Sequence, residues 1–158
     1  DGGYQLQFVQ VRRILEPAAT AMAAVRIDRT ALLELEVCML RMTEATSHEE
    51  LWQHDAEFHT QVAQASGNET LASMLKGVSS RSTRMRAWRA VIDDGATSRT
   101  LSQHAAILRA LRDGDPELAH AAALVHVATT EEWLRRLVES TAVDDADSRA
   151  DGGARVHR

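Results

Sequence analysis

Proline, cysteine and aromatic residues are all scarce in this chain of 158 residues, which holds two prolines and one cysteine. Phe, Trp and Tyr together make up only 4% of the sequence, while alanine is abundant. Strands favour β-branched and aromatic residues, whereas alanine has the highest helix propensity. The composition therefore argues against a β-sandwich or a β-barrel. It predicts an all-α fold, and the length predicts a single domain.

Cys38 is the lone cysteine, so the chain cannot form an internal disulfide bond. Its apolar neighbours predict a buried thiol in a reducing compartment. No apolar run approaches the ~20 residues that cross a bilayer, so we expect a cytoplasmic protein without a membrane partner. A formal net charge of −5 also disfavours direct binding to nucleic acid, which requires clustered positive charge.

Apolar residues recur at three- and four-residue steps in six segments, a spacing typical of amphipathic helices. Capping residues separate these segments: Asp28 is a predicted N-cap, and Gly67 lies in a predicted left-handed C-cap. Pro17 falls inside the first segment, which therefore predicts either two helices or one bent helix. We expect residues 4–140 to form the domain. Residues 141–158 lack an apolar period and predict a flexible C-terminal tail.

Four polar side chains interrupt the inward faces of three predicted helices: Asp55, His59, His104 and His126. A single inward histidine is most often a hydrogen-bonded core residue. Burying all four groups without partners would cost ~1–3 kcal/mol for each of them. Imidazole nitrogens and a carboxylate oxygen are good ligands for Zn²⁺ and neighbouring divalent metals. Spacing does not show that the helices converge, so a metal site and separately bonded core residues remain equal alternatives.

Several short motifs are spread along the chain. They are Arg-Arg-Ile-Leu-Glu-Pro at 12–17, Asp-Ala-Glu-Phe-His at 55–59, Ser-Gly-Asn at 66–68, Gly-Asp at 114–115, and the separate residues His104 and His126. Over about residues 4–140 this pattern resembles the effector-binding C-terminal domain, or FCD, of the FadR subfamily of GntR-type transcription regulators. Its most specific elements are the Asp-x-x-Phe-His motif and the spacing between the last two histidines.

The resemblance implies an antiparallel bundle of six or seven helices. It also implies that the metal ligands are Asp55, His59, His104 and His126, and that a small carboxylate effector completes the coordination. Zinc is the first choice of divalent metal, with nickel and manganese as alternatives. Family members begin with a winged helix-turn-helix domain that contacts DNA, and this chain has no sequence for one. The resemblance thus implies a sensor domain that controls an attached DNA-binding domain, and we expect a homodimer.

Three residues are candidates for binding the effector. Arg12 falls where the family often places an inward arginine, whose planar fork suits a carboxylate. A surface salt bridge with Glu16, four residues later, is an equal alternative. Arg81 lies near the apolar face of a basic helix that also carries Arg84, Arg86, Trp88 and Arg89. Asn68 is the third candidate, although a C-cap role is sufficient to explain it.

Two other classes of function remain open. A metal-dependent hydrolase could use the same three histidines and aspartate to activate water. Such an enzyme would need a general base in addition to the metal ligands, and Glu57 is the obvious nearby carboxylate. Because Glu57 lies two residues after Asp55 on a helix, we expect it to point to the opposite side. If the three helices do not converge, the chain is a metal-free helical interaction domain.

Overall fold

The computed structural model describes the backbone of residues 2–93 and 95–154, and the side chains of residues 3–81, 93 and 95–140. Within these ranges the chain forms six helices and no strand, which confirms the all-α prediction. In chain order the helices are α1 (Gly2–Ala24), α2 (Arg29–Glu44), α3 (His48–Ala65), α4 (Glu69–Ile92), α5 (Ala96–Asp113) and α6 (Pro116–Ala154). Over the described residues, no helix combines the length and the apolar character that a bilayer crossing requires. The backbone of α6 is helical to Ala154 and so extends into the predicted tail, residues 141–158, whose flexibility stays a prediction.

Helix α1 contacts four other helices of the bundle: α3, α4, α5 and α6. It runs antiparallel to α6, because Gly114 before α6 faces the carbonyl of Ala24 at the end of α1. Near the start of α1, Val9 packs against Val127 and Leu134 of α6. The largest core cluster joins five helices and includes Ala23, Leu35, Phe58, Ile107 and Ala119. This packing turns the inward faces of α3, α5 and α6 toward one region of the interior.

Capping residues explain where the helices begin and end. Asp28 precedes α2 and accepts a hydrogen bond from the backbone N–H of Ala31 at 2.8 Å, as predicted. After α3, Gly67 has a φ of +70°, a left-handed conformation that favours glycine. The predicted C-cap role of Asn68 is wrong. Its side-chain oxygen accepts a hydrogen bond from Leu71 N–H at 3.0 Å, so Asn68 caps the start of α4.

Helix α1 continues through Pro17, so the structure shows one helix where the sequence left one or two open. Pro17 lacks an N–H and cannot bond to the carbonyl of Arg13, but the helix resumes on its other side. This continuity keeps Arg12 and Glu16, one turn apart, on the same face of α1. Both residues are buried.

The predicted buried thiol is confirmed. Cys38 is 1% exposed, and its S–H donates to the carbonyl oxygen of His54 at 3.1 Å. Burial raises the pKa of Cys38 to about 12, so the thiol stays protonated near neutral pH. It acts as a small apolar group between α2 and α3.

Candidate metal centre

Asp55, His59, His104 and His126 meet at one point inside the bundle, where their ligand atoms all lie within 4.8 Å of one another. The Nε2 atom of His59 lies 3.2 Å from Nε2 of His104 and 3.2 Å from Nε2 of His126. One carboxylate oxygen of Asp55 lies 3.7 Å from His59 Nε2 and 3.5 Å from His104 Nε2. The structure therefore brings together the four residues that the sequence predicted as metal ligands.

These separations fit a bound metal ion. Ligand atoms held about 2.1 Å from one ion lie about 3.0 Å apart at right angles and about 3.4 Å apart in a tetrahedron. Hydrogen bonding alone explains the cluster less well, because Nε2 of His59 has one hydrogen or one lone pair and faces two imidazoles. Three imidazole nitrogens and one carboxylate oxygen also suit zinc and its neighbours. The four residues therefore form a candidate metal centre.

The candidate metal centre is buried. Asp55 and His104 are 0% exposed and His126 is 3% exposed, while Phe58 stacks on the ring of His104. Burial, together with the neighbouring His104 and His59, lowers the pKa of His126 well below its usual range. His126 is therefore neutral near pH 7, and the neutral imidazole is the form that binds a metal.

A buried ion pair on α1 borders the candidate metal centre. Arg12 is 0% exposed, and its Nε donates to Oε1 of Glu16 at 2.6 Å. The other carboxylate oxygen of Glu16 lies 3.6 Å from Nδ1 of His59. Burial acts to lower the pKa of Arg12, but the carboxylates of Glu16 and Asp55 raise it overall. Arg12 thus points inward, as the resemblance implies, and its salt bridge with Glu16 forms in the interior and not on the surface.

Gln103 of α5 contacts His126 from outside the four-residue group. Its side-chain oxygen lies 3.0 Å from Nδ1 of His126, and its Nε2 donates to the hydroxyl of Thr129 at 3.0 Å. Sequence analysis missed both Gln103 and Glu16 as residues of the site. Glu16 carried a signal, since it lies one turn after an inward arginine, but the sequence around Gln103 carried none.

A narrow cavity of about 10 Å³, with room for about one water molecule, lies beside His59, between α1, α3 and α4. The residues that line it are Glu16, His59, Thr60, Ala63, Leu75, Lys76 and Ser79. It extends from Lys76, which is exposed, to Glu16, which is buried. The cavity therefore leads from the surface toward the candidate metal centre, and five of the seven residues that line it carry polar side chains.

The other predicted effector-binding residues lie elsewhere. Arg81 is exposed, donates to the Tyr4 hydroxyl at 3.3 Å and places its guanidinium 5.5 Å from the ring centroid of Phe8. Asn68 caps α4, and neither residue lines the cavity beside His59. Their contact with an effector stays a prediction. The side chains of Arg84, Arg86, Trp88 and Arg89 lie outside the residues described.

The sequence predicts that Glu57 points away from the metal ligands. In the structure Glu57 contacts neighbours on its own helix. Its carboxylate lies 3.4 Å from Nδ1 of His54 and accepts a hydrogen bond from Gln61 at 3.2 Å. The carboxylate nearest to the four ligands among the described contacts is instead Glu16, which already pairs with Arg12.

Comparisons with known proteins relate this chain to transcription regulators. Residues 7–129 match the FCD domain family. The chain is 30% identical over 135 residues to the galactonate operon transcriptional repressor of Escherichia coli strain K12. The aligned segment covers 84% of this chain and 57% of that protein.

Two solved structures share the fold. Streptococcus agalactiae GntR has a TM-score of 0.71 and 25% identity, over 84% of this chain and 60% of that chain. E. coli McbR/YncC has a TM-score of 0.70 and 16% identity, over 83% of this chain and 67% of that chain. The chain spans less than two thirds of the curated relative and of the streptococcal protein. The predicted helical bundle and family are confirmed: the chain belongs to the FCD domain family, in the FadR subfamily of GntR-type transcription regulators.

Proposed function

We propose that this chain is the effector-sensing domain of a transcription regulator and that it binds one divalent metal and a small carboxylate. The observation that carries the proposal is the convergence of four ligand atoms within 4.8 Å in the interior. Asp55, His59, His104 and His126 would hold the metal. The bound ion would supply a positive Lewis-acid centre for an anionic effector. Zinc is our first choice, and nickel and manganese are the alternatives.

The narrow cavity beside His59 would have to widen to admit an effector, and the polar side chains that line it favour a short, polar effector over a long acyl chain. Thr60 and Ser79 offer hydroxyl groups, and Ala63 and Leu75 are the apolar residues of its wall. Such a lining suits a hydroxylated carboxylate, whose hydroxyl groups need hydrogen-bond partners when buried. By its name the E. coli relative represses a galactonate operon, and galactonate is a carboxylate of this class.

Lys76 is the residue we propose as the contact for the effector's negative charge. Lys76 is the one lysine or arginine among the described residues that line the cavity. It is also the only lysine in the 158-residue sequence. Arg12 would act from behind Glu16, where its charge offsets that carboxylate and lessens the repulsion of an approaching anion.

The regulatory step would be a shift between two arrangements of the helices. An effector can bias such an equilibrium only through its different affinities for the two states. The cavity lies between α1, α3 and α4, so an effector that widened it would displace these helices relative to one another. We propose that a winged helix-turn-helix domain in the full-length regulator makes the DNA contact, and that the regulator is a homodimer.

Metal content tests the first part of the proposal. Protein purified without added metal and without a nickel column is analysed for metals, before and after loading with zinc, nickel or manganese. We expect about one ion per chain, lost in His104→Ala and kept in the control His120→Ala, which replaces an exposed histidine on α6. Absence of bound metal after loading, or full retention by His104→Ala, would contradict the proposed centre.

Effector binding is tested on the metal-loaded protein by thermal shift with galactonate, citrate, lactate and short fatty acids. A ligand at a hundred times its Kd stabilises the fold by about 2.7 kcal/mol. We expect hydroxylated carboxylates to give the largest shifts, Lys76→Gln to reduce them and Lys76→Arg to restore part of them. Arg109→Gln, an exposed cation of α5, is the control. Shifts that persist after chelation and in Lys76→Gln would refute this mode of binding.

A further inference from the structure

A chain of hydrogen bonds runs from the backbone of α6 through Gln103 to His126. The hydroxyl of Thr129 donates to the carbonyl oxygen of Val125, one turn earlier, at 2.7 Å. A hydroxyl has one hydrogen, so the Thr129 oxygen can then only accept. The side-chain amide of Gln103 lies 3.0 Å from that oxygen. The NH₂ group of Gln103, and not its carbonyl oxygen, must therefore face Thr129.

This orientation determines which nitrogen of His126 carries the hydrogen. With its NH₂ group on Thr129, Gln103 turns its carbonyl oxygen toward Nδ1 of His126, 3.0 Å away. A carbonyl oxygen only accepts, so Nδ1 must be the donor. In a neutral imidazole Nε2 then holds the lone pair. That Nε2 atom lies 3.2 Å from Nε2 of His59, inside the candidate metal centre.

We propose that Gln103 is a positioning residue that holds His126 in its metal-binding tautomer before the metal arrives. The inference rests on the proposed function, because it requires that the four residues bind a metal. Outer partners of metal-binding histidines change metal affinity by about 10–100-fold when they are removed. Thr129 takes part indirectly, since its hydroxyl fixes which way the Gln103 amide faces.

The tautomer can be measured directly in the metal-free protein. Long-range ¹H–¹⁵N correlations in ¹⁵N-histidine-labelled protein distinguish the Nδ1–H form from the Nε2–H form, and His126→Gln identifies the His126 signals. At neutral pH we expect the Nδ1–H form in the wild type and in Gln103→Glu, whose carboxylate also accepts from Nδ1. We expect a mixture in Gln103→Leu. The Nε2–H form in the metal-free wild type would overturn the inference.

Zinc affinity, measured by competition with a chelator, provides the second readout. We expect Gln103→Leu to weaken zinc binding by about 10–100-fold. Thr129→Val leaves the Gln103 amide without its fixed partner and should weaken binding by a smaller factor, while Gln103→Glu should bind at least as tightly as the wild type. Gln53→Leu is the matched control, because Gln53 is an exposed glutamine of α3.

The outcomes separate this inference from the proposed function. If the wild type binds no zinc, nickel or manganese, the metal centre and the role of Gln103 fail together. If the wild type binds zinc and Gln103→Leu binds it equally tightly with an unchanged tautomer, only the role of Gln103 fails. Should Gln103→Leu not fold, Gln103→Glu and Thr129→Val carry the test, and wild-type behaviour of Thr129→Val in both readouts would overturn the inference.

Discussion

Phe58 and His104 stack face to face, with ring centroids 4.5 Å apart and planes inclined by 16°. Phe58 is 0% exposed, so its ring is fixed between the core and the imidazole. The Asp-x-x-Phe-His motif of α3 therefore does more than supply Asp55 and His59. Through Phe58 it also supports a third candidate ligand, His104, which α5 contributes.

Replacing Phe58 tests this support. Phe58→Ala leaves a cavity in the core, and we expect the free energy of unfolding to fall by about 3–5 kcal/mol. Phe58→Leu fills most of the space and should cost about 1 kcal/mol. Both variants should bind zinc more weakly, because His104 loses its flat neighbour. Urea unfolding of the metal-free protein and zinc titration measure the two effects, and unchanged zinc affinity in Phe58→Leu would contradict the role of the stack.

The buried pair of Arg12 and Glu16 predicts a large cost for breaking it on one side. Glu16→Gln leaves the guanidinium charge buried without its carboxylate, and we expect a loss of about 3 kcal/mol in unfolding free energy. The double variant Arg12→Met with Glu16→Leu removes both charges and should lose less than Glu16→Gln.

Chemical denaturation of these variants gives the comparison. The control is Glu132→Gln, which breaks an exposed pair with Arg136 at the same i, i+4 spacing and should cost about 0–1 kcal/mol. Equal, small losses in Glu16→Gln and Glu132→Gln would show that the interior pair contributes no more than a surface one.

Metal removal should lower the melting temperature. An ion present at a hundred times its Kd stabilises the fold by about 2.7 kcal/mol, which corresponds to roughly 5–10 °C for a domain of this size. Acidification should act in the same direction, since protonated imidazoles release the metal. Differential scanning calorimetry with and without a chelator measures the shift. The chelator should leave His104→Ala unaffected, and equal melting of metal-loaded and chelated wild type would contradict the prediction.

Cys38 gives a prediction about pH. Its folded-state pKa of about 12 is raised above the ordinary value of 9.0, so the unfolded chain loses the thiol proton first as pH rises. The contribution of Cys38 to stability is therefore complete below about pH 9 and is lost as pH rises toward 12. At mildly alkaline pH a thiol reagent should react slowly with the folded protein and rapidly once guanidinium unfolds it. Rapid reaction in the folded state would contradict the burial of this thiol.

Features set by local sequence were predicted well. The six helices follow from apolar spacing and from capping residues such as Asp28, whose effects extend over only a few positions. Asn68 was assigned to the wrong helix because α3 and α4 are joined by so short a connection that one residue can cap either of them. A polar side chain in such a short turn can hydrogen-bond either to the last backbone groups of one helix or to the first backbone groups of the next.

Features set by packing between helices were harder to predict. Spacing placed His104 and His126 on inward faces, but only the family resemblance indicated that those faces meet. Glu16 was considered as a surface partner for Arg12, since most i, i+4 charge pairs are exposed. Gln103 gave no signal because its partner, Thr129, is 26 positions away on another helix.

An ion bound by the four ligands would join parts of the chain that lie far apart in the sequence. His59 and His104 are 45 positions apart, so an ion shared between them would close a loop of chain that contains the whole of α4. The entropic cost of closing such a loop rises by only about 0.6 kcal/mol for each doubling of its length. The ion would therefore act as a removable cross-link between α3, α5 and α6. Helix α4, which carries Lys76, supplies none of the four ligands and could shift against the cross-linked helices when an effector enters.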